Sequence, residues 1–320
     1  MKTGLPLITV IVPCYNEEEA IPFFYREMST VAEKLKDFGL EMLFVDDGSS
    51  DNTLGLLRIL AAEDKRVRYI SFSRNFGKEA AMYAGLQNSK GDYVAIMDAD
   101  LQDPPSLLPE MLSYIIDAGY DGVATKRSDR RGEPVIRTFF AKLFYRIINK
   151  ISKVQMVPGA RDYTLMTRRM VDAVLKLPEY NRYTKGIFNW IGFKVKWISY
   201  ENISRVAGKT KWSFWKLFKY SIECIVAFST APLALASFFG FFFFLLSLAG
   251  IIFIVARDLA GIQSAAGWPS LICIILFISG VQLFCIGILG SYLSKTYLET
   301  KGRPFYLTAE TEDSGKNPGK

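Results

Sequence analysis

Four short apolar runs punctuate the first hundred residues: 7–12 (LITVIV), 41–45 (EMLFV), 67–71 (VRYIS) and 93–97 (YVAIM). Runs of this length, mostly β-branched and without polar alternation, suit strands buried on both faces. Between them, residues 18–35, 53–62 and 78–88 read as helices. A fourth helix is expected over 106–117, where Pro104 and Pro105 suit a helix start. Strand–helix alternation predicts an α/β domain with a mainly parallel, Rossmann-like sheet and right-handed crossovers.

The pattern changes in the last third. Residues 224–256 carry no charge, and neither do residues 259–294. About 20 apolar residues cross a bilayer, so each run is long enough. The FFGFFFFLL stretch is hydrophobic all round and has no face for water. A transmembrane hairpin is therefore expected, 224–256 and 259–294, after an α/β domain over 1–204 and a basic, aromatic juxtamembrane segment over 205–223. The tail, 295–320, is expected to be partly disordered. Residues 135–153 place Phe139, Phe140, Leu143, Phe144, Ile147, Ile148 and Ile151 at helical spacing, interleaved with Arg and Lys. This predicts a basic amphipathic helix, lying on an anionic bilayer or packed on its own domain or another subunit. Basic residues flank both apolar runs, whereas the connecting loop holds only Arg257, offset by Asp258. Both termini are therefore expected in the cytoplasm, with the chain a multi-pass protein of the inner or plasma membrane. The first apolar run is short and follows Pro6, so no signal peptide is expected.

Composition narrows the chemistry. With 50% hydrophobic and 22% charged residues the chain is not a disordered one. The four cysteines, Cys14, Cys224, Cys273 and Cys285, are too scattered for a disulfide scaffold or a zinc site. There is no histidine. That removes a His general base, a Ser-His-Asp triad and any His-ligated metal. A metal here must be held by oxygen, which points to Mg2+ or Mn2+. The net charge is +7. The excess gathers at the membrane boundary, which argues against nucleic acid and for a lipid surface or a phosphorylated ligand.

Polar, acidic clusters follow three of the predicted strands: PCYNEE from Pro13, DDGSSD from Asp46, and DADLQD from Asp98. In an open α/β sheet ligands bind at the carboxyl ends of strands, so the three should share one rim. Asp98 and Asp100 would repel each other without a counter-ion. A divalent cation relieves that, and it also bridges a diphosphate and neutralises a departing phosphate. Gln102 could add a neutral oxygen. The plainer reading of such a DxD is a turn with a helix cap. Asp46 or Asp47 could accept from a base N–H or a ribose hydroxyl, Tyr15 could stack, and Glu17 could accept from ribose. Asp51 is expected to cap a helix. Neither GxGxxG nor GxxxxGK[ST] follows the first strand, which disfavours a dinucleotide or P-loop site.

The motifs IVPCYNEE, VDDGSSDNT and MDADLQDPP, in that order, with RNFGKEAAMYAGL and RVAGKTKW (205–212), resemble the family 2 glycosyltransferases of the GT-A fold. Within them the chain is similar to the polyprenyl-phosphate glycosyltransferases, which include dolichyl-phosphate mannose synthases and bactoprenol glucosyltransferases. The resemblance implies an inverting transfer of one sugar from a nucleotide sugar to a lipid phosphate such as undecaprenyl phosphate. UDP-glucose is the first choice of donor, with GDP-mannose and modified UDP-pentoses open. It implies nucleotide contacts at Pro13, Tyr15, Asn16, Glu17, Asp46, Asp47 and Ala99, a metal site at Asp98, Asp100 and Gln102, and a catalytic role for Asp100. Asp162 resembles the family's proposed base position, or orients the acceptor or a basic side chain. Lys78 would approach the diphosphate. The QxxRW segment of the processive synthases is absent, which supports single transfer. The family also suggests a homo-oligomer such as a tetramer, with Gly240, Gly250, Gly280, Gly287 and Gly290 allowing close helix packing.

A lipid phosphomonoester, with its second pKa near about 6, is largely dianionic at neutral pH and is already a nucleophile. It needs a positive pocket rather than a strong base. Arg127, Arg131, Arg137, Arg205 and Lys211 are the membrane-proximal candidates. A non-catalytic membrane receptor for nucleotide sugars would keep the nucleotide clusters without needing the ordered DxDxQ and basic segment. A transporter is disfavoured, since neither span holds an ionisable residue.

Overall fold

The computed structural model describes residues 4–128, 135–152, 154–200, 214–260 and 267–314. The first half alternates β1 (Leu7–Cys14), α1 (Ile21–Lys34), β2 (Gly39–Asp46), α2 (Thr53–Glu63), β3 (Val67–Phe72), α3 (Lys78–Asn88) and β4 (Tyr93–Ile96). These four strands are mutually parallel, in the order β4-β1-β2-β3. A 3-10 turn at Pro105–Leu107 leads into α4 (Leu108–Ile116). Then come β5 (Gly122–Arg127), α5 (Val135–Ile151), β6 (Ala160–Thr167), α6 (Arg168–Leu175), α7 (Thr184–Trp190) and β7 (Val195–Tyr200). The chain ends with α8 (Phe214–Phe228), α9 (Ala231–Leu259), α10 (Trp268–Thr300) and β8 (Thr308–Thr311).

The sheet has eight strands, β7-β5-β6-β4-β1-β2-β3-β8. It is buried on both faces. Val10, Val12, Met42 and Phe44 point to the layer holding Phe24, Met28, Leu57 and Met111. Ile11, Leu43 and Val45 point to the opposite layer with Ala81, Leu86 and Met170. Two covered faces explain why these strands are continuous apolar runs rather than alternating ones. Gly85 is required by this packing: a Cβ there would lie 2.2 Å from Cγ2 of Ile11, so α3 rests directly on β1. The sheet is mainly parallel but mixed: β6 runs antiparallel to both β4 and β5, and β8 antiparallel to β3.

Three expectations are corrected. Within the tail, expected to be partly disordered, residues 308–311 form β8, which completes the sheet edge. Arg58 and Glu310 pair at 2.5 Å, Tyr69 donates to Glu310 at 2.6 Å, and Arg68 joins Glu312 and Glu41 at 2.5 and 2.8 Å. Residues 315–320 lie outside the described residues. The first apolar run, 224–256, is not one helix. Oγ of Ser229 accepts from the Ala231 N–H at 3.1 Å and donates to the Ile151 carbonyl at 2.8 Å. With Pro232 next, these caps end α8 and start α9. The second helix, α10, starts at Trp268 and runs to Thr300, past the expected end at Ser294.

The membrane-type windows are Ala231–Gly250 and Phe277–Thr300, both long and apolar enough to cross a bilayer. A Cβ at Gly240, Gly250, Gly280, Gly287 or Gly290 would meet no atom within 4 Å, so these glycines do not mediate packing between α9 and α10. Helix α5 covers the expected amphipathic segment to Ile151. Ile148 packs with Val154, Met156 and Cys224 of α8, while Phe140, Leu143 and Ile147 stay exposed. One side of this helix thus serves the chain's own packing and the other presents an apolar ridge.

Candidate active site

Parallel pairing brings the predicted clusters to one rim. Cys14 pairs with Asp46 and Ile11 with Ile96, so the chain leaves β1, β2 and β4 side by side. The first two loops are stitched together. The backbone N–H of Asn16, at φ +54°, donates to Ser49 Oγ at 2.9 Å, and its Oδ1 accepts the Ser50 N–H at 2.8 Å. The Glu17 N–H donates to Thr53 Oγ1 at 2.9 Å, and the Glu18 N–H donates to Asp51. Asp51 also accepts the Thr53 N–H at 3.0 Å, the local capping role expected of it. Tyr15 is exposed on this rim and Pro13 is half-buried within β1.

Asp46 is placed otherwise than expected. It is buried, accepting Ser49 N–H at 3.0 Å and Ser71 Oγ at 2.7 Å, and holds the turn instead of facing a ligand. Asp47 accepts the Phe76 and Gly77 amides at 2.6 and 2.9 Å. Burial pushes its pKa up despite those two amides. Asp47 thereby fixes the β3–α3 turn that launches Lys78. Gly48, at φ +66°, is needed here, since a Cβ would lie 2.4 Å from the Arg74 carbonyl carbon.

The charged centre lies at the ends of β4 and β6. Antiparallel pairing aligns Ile96 with Thr164, so Asp98, two residues after Ile96, and Asp162, two before Thr164, come out at the same end. Nζ of Lys78 sits between them, 2.6 Å from Asp98 and 2.5 Å from Asp162. Lys185, on the first turn of α7, adds a second ammonium 3.3 Å from Asp162. Burial alone would raise Asp162, but the Lys185 and Lys78 ammoniums outweigh it and hold this carboxyl well below the usual range. Burial likewise opposes charge on Lys78, and Asp162 with Asp98 pushes its pKa well up. The turn carrying Lys185 is itself tied down: Glu79 accepts from the Thr184 N–H at 3.0 Å and from its hydroxyl.

Asp100 is buried beside Ala99, and its Oδ1 accepts the Gln102 N–H at 3.1 Å. Oε1 of Gln102 faces two guanidiniums, Arg161 at 3.3 Å and Arg127 at 3.4 Å. The expected third metal oxygen is therefore turned to cations, of which Arg127 is one of the candidates named for the acceptor phosphate. Arg131, Arg205 and Lys211 lie outside the described residues, and Arg137 is on α5 with its side chain outside them.

Asp103, Arg161, Tyr200 and Lys185, to which the sequence analysis gave no role, prove central. Asp103 is fully buried, accepts Arg161 Nε at 2.8 Å and the Tyr200 hydroxyl, and so ties the DADLQD loop to β6 and β7. Lys185 carries no local motif; only the fold brings it to Asp162.

Among the described residues no group of three or more acidic or cysteine side chains forms a metal cage. Asp98 and Asp100 nonetheless fit a hard cation of the Mg2+ type, which uses one or two carboxylates and completes its shell with phosphate oxygens and water.

This rim, on a mainly parallel sheet, has the layout expected of a glycosyltransferase domain of the GT-A fold. The chain belongs to glycosyl transferase family 2, whose profile matches residues 9–175. It is 41% identical over 317 residues to CsbB of Bacillus subtilis (strain 168), covering 99% of this chain and 95% of that protein. It is 42% identical over 301 residues to the bactoprenol glucosyl transferase of Shigella phage SfX, covering 94% and 98%. The prophage bactoprenol glucosyl transferase homolog of Escherichia coli is 39% identical over 305 residues, covering 94% and 97%.

Proposed function

We propose that this glycosyltransferase moves one sugar from a nucleotide sugar, UDP-glucose in the first instance, to the phosphate of a polyprenyl phosphate at a membrane surface, with inversion. The observation that carries the reading is the Lys78–Asp98–Asp162–Lys185 cluster at the nucleotide rim of a domain whose chain continues into two membrane-length helices. The bactoprenol glucosyl transferases among its full-length relatives supply the acceptor class.

The acceptor phosphate, dianionic above about pH 6, attacks the anomeric carbon. The carbon–oxygen bond to the donor diphosphate breaks, and the nucleoside diphosphate departs with that electron pair. Asp162, held down by two ammoniums, is a poor proton acceptor and acts here by positioning Lys78 and Lys185. Arg127 and Lys185 supply positive charge to the acceptor phosphate. Asp98 and Asp100 would hold Mg2+ or Mn2+, which supplies charge neutralisation at the diphosphate.

Both ends of the helical hairpin are tied to the catalytic domain. Ser229, before α9, bonds to Ile151, and Glu299, near the end of α10, accepts the Tyr180 and Asn181 amides at 3.0 and 3.1 Å. This supports a hairpin that enters and leaves on the catalytic side, the cytoplasmic one by its flanking basic residues.

The test is incubation of the purified chain in detergent with radiolabelled UDP-glucose, GDP-mannose or UDP-pentoses and undecaprenyl phosphate. Label is expected in an organic-phase lipid product, from UDP-glucose above the others. Nucleotide binding without any glycolipid would favour the receptor reading instead.

A further inference from the structure

Asp98 has two claimants. One is the Lys78 ammonium, 2.6 Å from its Oδ1. The other is the divalent cation that the proposed function assigns to Asp98 and Asp100, and the inference rests on that assignment. The two cannot share the carboxylate at low cost. A metal ion ligated at about 2.1 Å would stand within a few ångströms of the ammonium, and like charges so close repel strongly in a partly buried site.

The surroundings show where the ammonium can go. Lys78 keeps Asp162 at 2.5 Å on its other side, so it can leave Asp98 without losing every counter-charge. Its side chain is 42% exposed, which leaves room to swing. Its backbone is fixed by Asp47, which holds the amides of the two preceding residues. Lys185 is the internal contrast. It carries the same charge and contacts the same Asp162, but among the described residues it makes no ion pair with Asp98.

We infer that Lys78 is a built-in competitor for the metal site: its ammonium occupies Asp98 and must be displaced toward Asp162 and the donor phosphates before that carboxylate can ligate a divalent cation. Metal affinity is thereby set low in the absence of a diphosphate. A nucleotide sugar raises it twice over, by adding phosphate ligands and by offering Lys78 another anion. The metal and the donor are coupled through one side chain, and by linkage each tightens the other.

The test is Mn2+ binding to the full chain in detergent, without nucleotide, read from the free-ion EPR signal. Lys78→Met is expected to bind Mn2+ about tenfold more tightly than the wild type, and Lys185→Met to stay within about threefold of it. Unchanged or weaker binding by Lys78→Met overturns the inference and leaves the metal site standing. Equal tightening by both variants also overturns it, because general charge would then suffice. Failure of every protein to bind Mn2+, with or without UDP, removes the metal site itself and the inference with it. A second measurement needs no variant. Reductive methylation of Lys78 in the wild type, followed by peptide mass spectrometry, is expected to speed up several-fold on adding Mg2+, as the ammonium is released. An unchanged or slower rate counts against displacement.

Discussion

Asp162 stands beside Asp98 at the end of the β4–β6 pair, and a single ammonium, that of Lys78, touches both carboxylates. Two acidic residues far apart in sequence thus form one electrostatic unit. Neutralising either would leave a lysine in excess, so the effects of the two substitutions should not add.

Asp162→Asn is expected to lower turnover by about 100-fold or more while the KM for nucleotide sugar changes only a few-fold. Because its carboxyl is held well below the usual range, it stays ionised throughout the working pH range. The acid limb of the pH–rate profile should therefore follow the acceptor phosphate, near about pH 6, in wild type and variant alike. Steady-state kinetics across pH checks this. Near-wild-type turnover, or a limb that vanishes in the variant, would contradict the positioning role.

Asp100→Ala should abolish metal-dependent transfer, and the loss should persist at saturating Mn2+. Calorimetric titration with UDP and Mn2+ together should show weakened binding. Full activity of this variant in excess chelator would remove the divalent ion from the reaction.

Arg161→Ala would leave the Asp103 carboxylate buried with the Tyr200 hydroxyl as its remaining side-chain donor. An uncompensated buried charge costs about 3–5 kcal/mol, so a large fall in melting temperature is expected. Asp103→Asn, which removes the charge rather than its partner, should cost less. The reverse order in thermal melts would show that Asp103 is not the charge being held.

At the sheet edge, Arg58 and then Tyr69 hold Glu310 down to about 2. A carboxylate lowered on folding stabilises the fold above its unfolded pKa and loses that contribution as pH falls toward its folded one. The difference in thermal stability between wild type and Glu310→Gln should thus be constant above about pH 5 and close as pH approaches about 2. Arg58 is exposed and screened, so the gap itself should be only about 1 kcal/mol. A gap that widens in acid would refute the pairing.

The sequence was most readable where burial is complete. The first four strands lie between two helical layers, and their apolar runs announce them; α3 occupies 78–88, the range read from sequence. It was least readable where structure depends on distant partners. TAET, the whole of β8, has no buried residue of its own and becomes a strand only because β3 offers an edge. The break at Ser229 sits inside an uncharged run, and hydropathy alone cannot see a capping hydroxyl. Asp46 and Asp47 look equivalent in sequence, yet one is committed to Ser49 and Ser71 and the other to the turn before Lys78. Arg161 reaches the rim through antiparallel β6 and Lys185 through α7, placements that no local motif encodes.

The two attachments of the hairpin, at Ser229 and Glu299, have a mechanical result. If the hairpin spans a bilayer as proposed, a domain standing on two fixed legs could not tumble or rise freely over it, so its catalytic rim would keep a set height and heading above the headgroups. An acceptor would then need only to diffuse sideways until its phosphate arrived, with its hydrocarbon never leaving the oil.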